Sequence, residues 1–218
     1  MGRAVVNVGA GAGSYESATL EVTAVEPSAS MRAQRPAHLS AAVDAVAEQL
    51  PFGDDAFDAA LTAFSVHQWS DLMTGLREMR RTARGPLVVL TCDPALVRDF
   101  WLYEYAPEVL DTEARRNPAI ADLTEALGGP ASVTRVPTPV DCTDGCNEAS
   151  YARPEMLLDP GARQACSAWS FVDEQSRERF AADLRADLDS GARDTRFGAR
   201  RQQPCHEGSL VVIRSGPA

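Results

Sequence analysis

A chain of 218 residues is long enough for one substantial core and requires no second full domain. Hydrophobic residues at 44% and charged residues at 24% strike the balance of a globular protein, and no apolar run is long enough to span a membrane. With 31 acidic residues against 21 basic ones the formal charge is −10, a field that repels nucleic acid and acidic membrane, so neither is expected as a partner.

The N-terminus runs straight into Val5-Val6-Asn7-Val8. It has no basic region, long apolar run or small-residue cleavage site, so the expected compartment is the cytoplasm. The cysteines are Cys92, Cys142, Cys146, Cys166 and Cys205, and an odd number without a secretory signal argues against a disulfide scaffold. Cys142 and Cys146 lack the second pair or nearby histidine that a zinc site needs, so no metal is expected.

Residues 4–8 read as a short buried strand, followed at once by Gly9, Gly11 and Gly13. Residues 21–25 read as a second strand ending at Glu26-Pro27, and Ser28 caps a helix closed by Pro36. Residues 42–46 suggest a weak third strand, and 57–64 a strong apolar one. Residues 70–83 carry a helical period through Leu72, Met73, Leu76 and Met79, with Asp71 near the start. Arg77, Arg80, Arg81 and Arg84 read as the solvated face of that helix. Gly85-Pro86 breaks it before the strand Leu87–Leu90.

Beyond this the pattern is less regular. Residues 94–117, with Phe100, Trp101, Tyr103 and Tyr105, read as a helical insertion. A helix follows at 119–127, an edge strand at 132–136, helical stretches at 160–168 and 172–189, and a last strand at 208–214. Strands alternating with helices, and apolar along their whole length, imply an α/β fold with a mostly parallel sheet. An antiparallel final hairpin beside that sheet would fit. No internal repeat or linker marks a domain boundary, so one domain spanning 1–218 is expected.

The chemistry concentrates at Gly9-Ala10-Gly11-Ala12-Gly13. Glycines directly after a buried strand let the backbone turn tightly and approach a ligand without Cβ interference. Glu26, at the end of the second strand, can accept both hydroxyls of a ribose. A dinucleotide is disfavoured, because the glycines lack the G-x-G-x-x-G spacing and only seven residues separate Gly13 from strand two. A P-loop is excluded, since no Gly-Lys-Ser/Thr is present.

In this order the elements resemble the class I S-adenosylmethionine (SAM)-dependent methyltransferases, especially the small-molecule group related to ubiquinone/menaquinone C-methyltransferases. The matching pieces are Val5–Gly13, Val22–Ser28, Ala47–Phe52, Phe57–Trp69 and the helix and strand over 70–90. The resemblance implies a Rossmann-like, seven-stranded sheet with an antiparallel last strand. It implies SAM as cofactor and a small organic acceptor. By resemblance, Asn7, Gly9, Ala10 and Gly11 surround the methionine moiety and Glu26 takes the ribose. Pro27, Met31, Ala47 and Glu48 meet the adenine, and Phe64 and Ser65 lie near the sulfonium.

Three departures stand out. Asn7 replaces the usual Asp but keeps a carbonyl acceptor. Val46 stands where many relatives have an acid facing adenine. The chain begins at the first strand, so the family's N-terminal cap helices are expected to be missing. The 94–117 segment or a second copy in a homodimer would then supply the cap. These departures keep a noncatalytic SAM-fold binding protein as the alternative.

For the acceptor, His67 is the candidate general base, since an imidazole has its neutral form available near pH 7. Its other reading is a partly buried histidine with a structural bond. His206 is a second, weaker candidate, and His38 reads as solvated. His67, Trp69, Trp101 and Tyr105 are the candidate acceptor wall. The spacing of Trp101 and Tyr105 fits a buried helical segment equally well.

Overall fold

The computed structural model describes residues 4–128 and 130–216. Ala4–Val8 forms β1 and Glu21–Val25 forms β2, at the expected bounds. Four of the five β1 residues are consecutively buried, because β1 lies inside the sheet and has no solvent face to alternate towards. Helix α1 (Ala29–Ala33) starts where the Ser28 hydroxyl accepts the Met31 N–H at 3.3 Å. It is closed before Pro36, which disfavours helical geometry in the residue ahead of it.

The third strand expected over 42–46 reduces to a single bridge. Val43 donates its N–H to Ala24 at 2.8 Å and accepts from Glu26 at 3.0 Å. Small and polar neighbours explain the loss: Asp44 turns out to pair with Arg32, and Val46 is 45% exposed. Strand β3 (Ala59–Ala63) is shorter than the expected 57–64. Phe57 leaves it to bridge Ala83, and Phe64 ends it with a φ of 50°. Helix α2 (Leu72–Thr82) is capped by Asp71, which accepts the Thr74 N–H, and buries Leu76 and Met79 completely. Strand β4 (Leu87–Cys92) follows.

Later elements are α3 (Pro107–Arg116), α4 (Ile120–Leu127), β5 (Ala131–Arg135) and β6 (Thr138–Pro139). Then come α5 (Pro160–Gln164), α6 (Glu174–Ser190), α7 (Ala192–Phe197), β7 (Cys205–His206) and β8 (Leu210–Ser215). Among the described residues the main sheet has six strands, in the order β2-β1-β3-β4-β8-β5, where seven were expected. It is parallel through β2, β1, β3 and β4 and includes an antiparallel strand, which is a Rossmann-like architecture. The last strand does not close a hairpin. It sits between β4 and β5, and the separate antiparallel ladder pairs Thr138 with His206 and Pro139 with Cys205.

The chain divides into two compact units. The first holds the described residues up to Cys92, Asn117–Thr134 and those from Val211 on; the second holds Asp93–Arg116 and Arg135–Leu210. The expected helical stretch at 94–117 is thus one part of a larger unit. In the first unit Val6, Val8, Val25, Ala60, Leu76, Leu87, Val89 and Leu123 form the core between sheet and helices. Each buried aliphatic side chain of valine or leucine size contributes about 1.5–3 kcal/mol. Of the basic run Arg77, Arg80, Arg81 and Arg84, Arg77 and Arg84 are exposed as expected, while Arg80 and Arg81 are partly buried. Arg80 donates to the carbonyls of Gly85 and Gly216, Arg81 to those of Leu50 and Phe52, and Arg84 pairs with Asp58. A guanidinium with five donors can satisfy loop carbonyls that an aliphatic residue cannot.

The second unit is built of short 3₁₀ turns around α3, α5, α6 and α7. Its core mixes aromatics with buried arginine. Arg193 is fully buried with its guanidinium 5.0 Å from the Trp101 ring centroid, and Arg163 donates to the Leu157 carbonyl at 2.6 Å while lying over Trp169 and Phe180. No described helix in the chain is long and apolar enough to cross a membrane.

Candidate functional site

The glycine turn follows β1 directly. Gly9 and Ala10 both donate to the Val25 carbonyl at 2.9 Å, which folds the turn over the end of β2. Gly9 has a φ of 72°, and a Cβ there would lie 2.3 Å from the Ser65 hydroxyl, so both conformation and space require glycine. Ser65 is held in that place. Its hydroxyl meets Thr62 at 2.5 Å and donates to the Val8 carbonyl at 3.2 Å. The left-handed Phe64 turns the chain at the end of β3 and carries its ring 5.6 Å from that of Tyr15. Such a φ is uncommon for a bulky residue and points to a constrained site.

Two buried acceptors stand at the strand ends beside this turn. Asn7 is 1% exposed, and its Oδ1 is buried without a hydrogen-bond partner. A buried orphan acceptor is costly unless a ligand donor completes it. Glu26 accepts the Gly11 N–H through Oε2 and the Ser28 N–H through Oε1, each at 2.8 Å. A carboxylate has about four lone-pair directions, so these ties leave room for two hydroxyl donors.

The adenine-side candidates are distributed unevenly. Pro27 and Met31 are exposed, and the Met31 methyl lies 3.3 Å from where a Gly11 Cβ would stand. Ala47 is buried under α2. Glu48 is committed elsewhere, because its Oε1 accepts from the Ser70 and Asp71 N–H groups and the Ser70 hydroxyl. Burial raises its pKa, and those hydrogen bonds outweigh it, so the carboxyl ends below its ordinary value. Its side chain therefore caps the approach to α2, leaving the backbone for an adenine edge.

His67 sits on the 3₁₀ turn after β3, half-buried, with its Nε2 3.4 Å from the Gln68 amide. Trp69 packs beside Gly75, where a Cβ would come within 2.5 Å of its ring, and its Nε1 lies 3.8 Å from the Gly9 Cβ position. The structure thus brings Asn7, Gly9, Gly11, Glu26, Met31, Phe64, Ser65 and Trp69 around one turn.

Trp101 and Tyr105 belong to the second unit's core, 2% and 6% exposed. Tyr105 donates to Asp187 at 2.7 Å and accepts from Arg196, and burial holds its hydroxyl well above the usual phenol range. Their placement is that of the buried helical segment. His206 lies between the rings of Phe100 and Tyr151, and burial, then Arg200, lower its pKa to about 4. That makes it a poor proton acceptor. His38 is exposed. Burial pushes the Cys166 thiol up to about 12 and Cys146 higher still. Among the described residues no group of three metal-ligating side chains converges.

Sequence reasoning missed Glu16, Arg32 and Arg35. Arg32 donates to the Glu26 carbonyl at 2.7 Å and pairs with Asp44. Arg35 forms a bidentate pair with Glu16. The only sequence signal was the recurrence of arginine three residues apart in and just after α1, a pattern usual on solvated helices.

A glycine turn, an orphan acceptor and a carboxylate at the ends of adjacent parallel strands are the kind of arrangement that nucleotide-binding α/β proteins present to a ligand. The family described as "Methyltransferase domain" matches residues 6–86, which span all of these groups. The uncharacterized protein YafE of Escherichia coli strain K12 is 40% identical over 77 residues, 34% of this chain. That match spans only 37% of YafE's length. A crystal structure described as a methyltransferase from an antibiotic biosynthesis pathway of Anabaena variabilis is 28% identical, with a TM-score of 0.91 over 98% of this chain and 90% of that one. A SAM-dependent methyltransferase of Thermotoga maritima shares the fold at 19% identity, with a TM-score of 0.56 over 100% of this chain and 83% of that one. Over residues 6–86 the chain is thus similar to a methyltransferase domain, and over nearly its whole length it shares the fold of solved methyltransferases.

Proposed function

We propose that the chain binds SAM at the glycine turn of its first unit and transfers the methyl group to a small organic acceptor. The observation that carries this reading is the pairing of an orphaned Asn7 Oδ1 with Glu26 across a turn that only glycine can form. Asn7 Oδ1 would accept from the methionine ammonium, and the Gly9, Ala10 and Gly11 backbones would enclose that end. Glu26 would accept the ribose hydroxyls through its remaining lone pairs. Met31, Pro27 and the backbone at Ala47 and Glu48 would flank the adenine, with Phe64 and Ser65 near the sulfonium.

Bound SAM supplies an electrophilic methyl group. The chain's work is to hold an acceptor in line with it, exclude water and accept a proton. His67 is the proposed base, taking the proton of an acceptor O–H, N–H or acidic C–H as the new bond forms. Trp69 would line the acceptor's entry. The formal charge of −10 favours a small molecule over nucleic acid.

A second reading is a noncatalytic SAM-binding protein. Asn7 and the exposed Val46, standing where the family that the sequence resembles carries acids, favour it. Calorimetry with SAM and S-adenosylhomocysteine on the parent and on Glu26→Ala tests the cofactor site. We expect saturable binding that weakens about 100-fold in the variant, equivalent to about 2.7 kcal/mol. No binding by well-folded parent protein overturns the reading. Tight SAM retention with no methyl transfer in an acceptor screen selects the noncatalytic one.

A further inference from the structure

The segment between β1 and β2 contains turns and no helix. Its internal backbone bonds in the middle are two, Gly13 N–H to the Ala10 carbonyl at 2.9 Å and Glu16 N–H to the Gly13 carbonyl at 3.2 Å. A ligand-binding loop so sparsely bonded is drawn from the mobile end of a protein unless side chains hold it.

Here side chains do hold it. The Glu16 and Arg35 side chains are each 4% exposed. The guanidinium meets Glu16 Oε1 at 2.8 Å through Nη1 and Oε2 at 2.9 Å through Nη2. Its other contacts go to backbone, with Nε and Nη2 on the Ser40 carbonyl and Nη1 reaching the Gly11 carbonyl at 3.5 Å. Gly13 packs directly on this pair. Its φ is 96°, and a Cβ would stand 3.1 Å from Arg35 Nη1 and 2.3 Å from Leu39. The two peptides that flank the Gly11 Cα are therefore both held, one through the Gly11 N–H on Glu26 and the next through the Gly11 C=O on Arg35.

We infer that the buried Glu16–Arg35 pair is a positioning device for the methionine end of the cofactor site, fixing the peptides that flank Gly11 before the ligand arrives. The inference rests on the proposed SAM site. A buried ion pair is a poor source of net stability, since desolvation offsets its Coulomb gain. Its geometry can still select one loop conformation and so spare the ligand the entropy of ordering it. Glu16 and Arg35 touch no reacting atom in this scheme; they act through Gly11 and Gly13.

The test compares S-adenosylhomocysteine with adenosine, which lacks the methionine moiety, by calorimetry. Glu16→Met/Arg35→Met removes both charges without leaving one buried alone. We expect this variant to lose at least ten-fold in S-adenosylhomocysteine affinity while adenosine affinity changes less than two-fold. Arg35→Lys keeps the charge but not the fork, and we expect it to lose S-adenosylhomocysteine affinity in the same selective way. Equal losses for both ligands, or none, overturn the inference while leaving the cofactor site standing. A parent that binds neither ligand overturns the cofactor site and the inference together. Should neither variant fold, hydrogen exchange on the parent decides. Pre-fixing expects the Gly11 and Gly13 amides to be protected without ligand, and a protection that rises more than ten-fold only with S-adenosylhomocysteine overturns it.

Discussion

The two units bury polar groups in different surroundings. In the first, Asn7 and Glu26 are buried at strand ends beside a glycine turn, with hydrogen-bonding capacity left open. In the second, polar groups lie against aromatic rings, Arg193 over Trp101, Arg163 over Trp169 and half-buried His206 beside Phe100 and Tyr151, and Arg193 Nε, Trp101 Nε1 and His206 Nε2 are likewise buried without a hydrogen-bond partner. The first arrangement sacrifices stability at points a ligand can complete. The second uses guanidinium planes and donors to seal a core made of short turns, which leave many carbonyls unpaired by regular structure.

The contrast is broken most forcefully at Arg193. Arg193→Ala removes packing on Trp101 and orphans the Tyr151 carbonyl, which accepts from Nη2 at 3.2 Å. We expect about 3 kcal/mol of destabilisation in urea unfolding. A loss below about 1 kcal/mol would mean that the second unit does not depend on its buried arginine.

Gly9→Ala attacks the first unit in the same currency. The strained φ and the 2.3 Å approach to Ser65 set an expected loss of at least about 2 kcal/mol, with S-adenosylhomocysteine affinity falling as well. If stability falls and affinity holds, the turn is structural only.

Acid sharpens the comparison through His206. Its folded pKa of about 4 lies below its ordinary 6.5, so the unfolded chain binds the proton first as pH falls. The stability it contributes is full above pH 6.5 and is lost as the pH falls towards 4. Because the ring is only partly enclosed, we expect about 2 kcal/mol after allowance for solvent screening. Glu148 has the opposite sign, since burial raises its pKa and its contribution fades as pH rises. Comparing the parent with His206→Gln at pH 7 and near pH 4.5 isolates the histidine. An identical acid loss in both proteins would contradict this account.

The smallest expected effect is at Asn7. Asn7→Asp places a carboxylate at a position 1% exposed, so the ligand-free protein should lose about 1 kcal/mol. SAM should recover it, giving a larger ligand-induced rise in Tm than in the parent. An equal rise would show that Asn7 does not face the ammonium.

By itself the sequence determined the parts whose signals are local. β1 and β2 stand at their expected bounds because apolar runs ended by glycine or by Glu-Pro admit few other structures. The glycine turn and Glu26 were legible for the same reason. Only the tertiary structure decided what depended on partners distant in the chain. Residues 42–46 form one bridge because Asp44 pairs with Arg32 and Val46 finds no cover. Trp101 and Tyr105 became core because Arg193, Asp187 and Arg196, some 80 to 90 residues further on, close over them. Glu16 and Arg35, nineteen residues apart, looked like ordinary surface charges, and only folding brings them together at 2.8 Å out of water. Backbone propensity is written residue by residue, whereas the environment of a charge is set by whatever the rest of the chain packs around it.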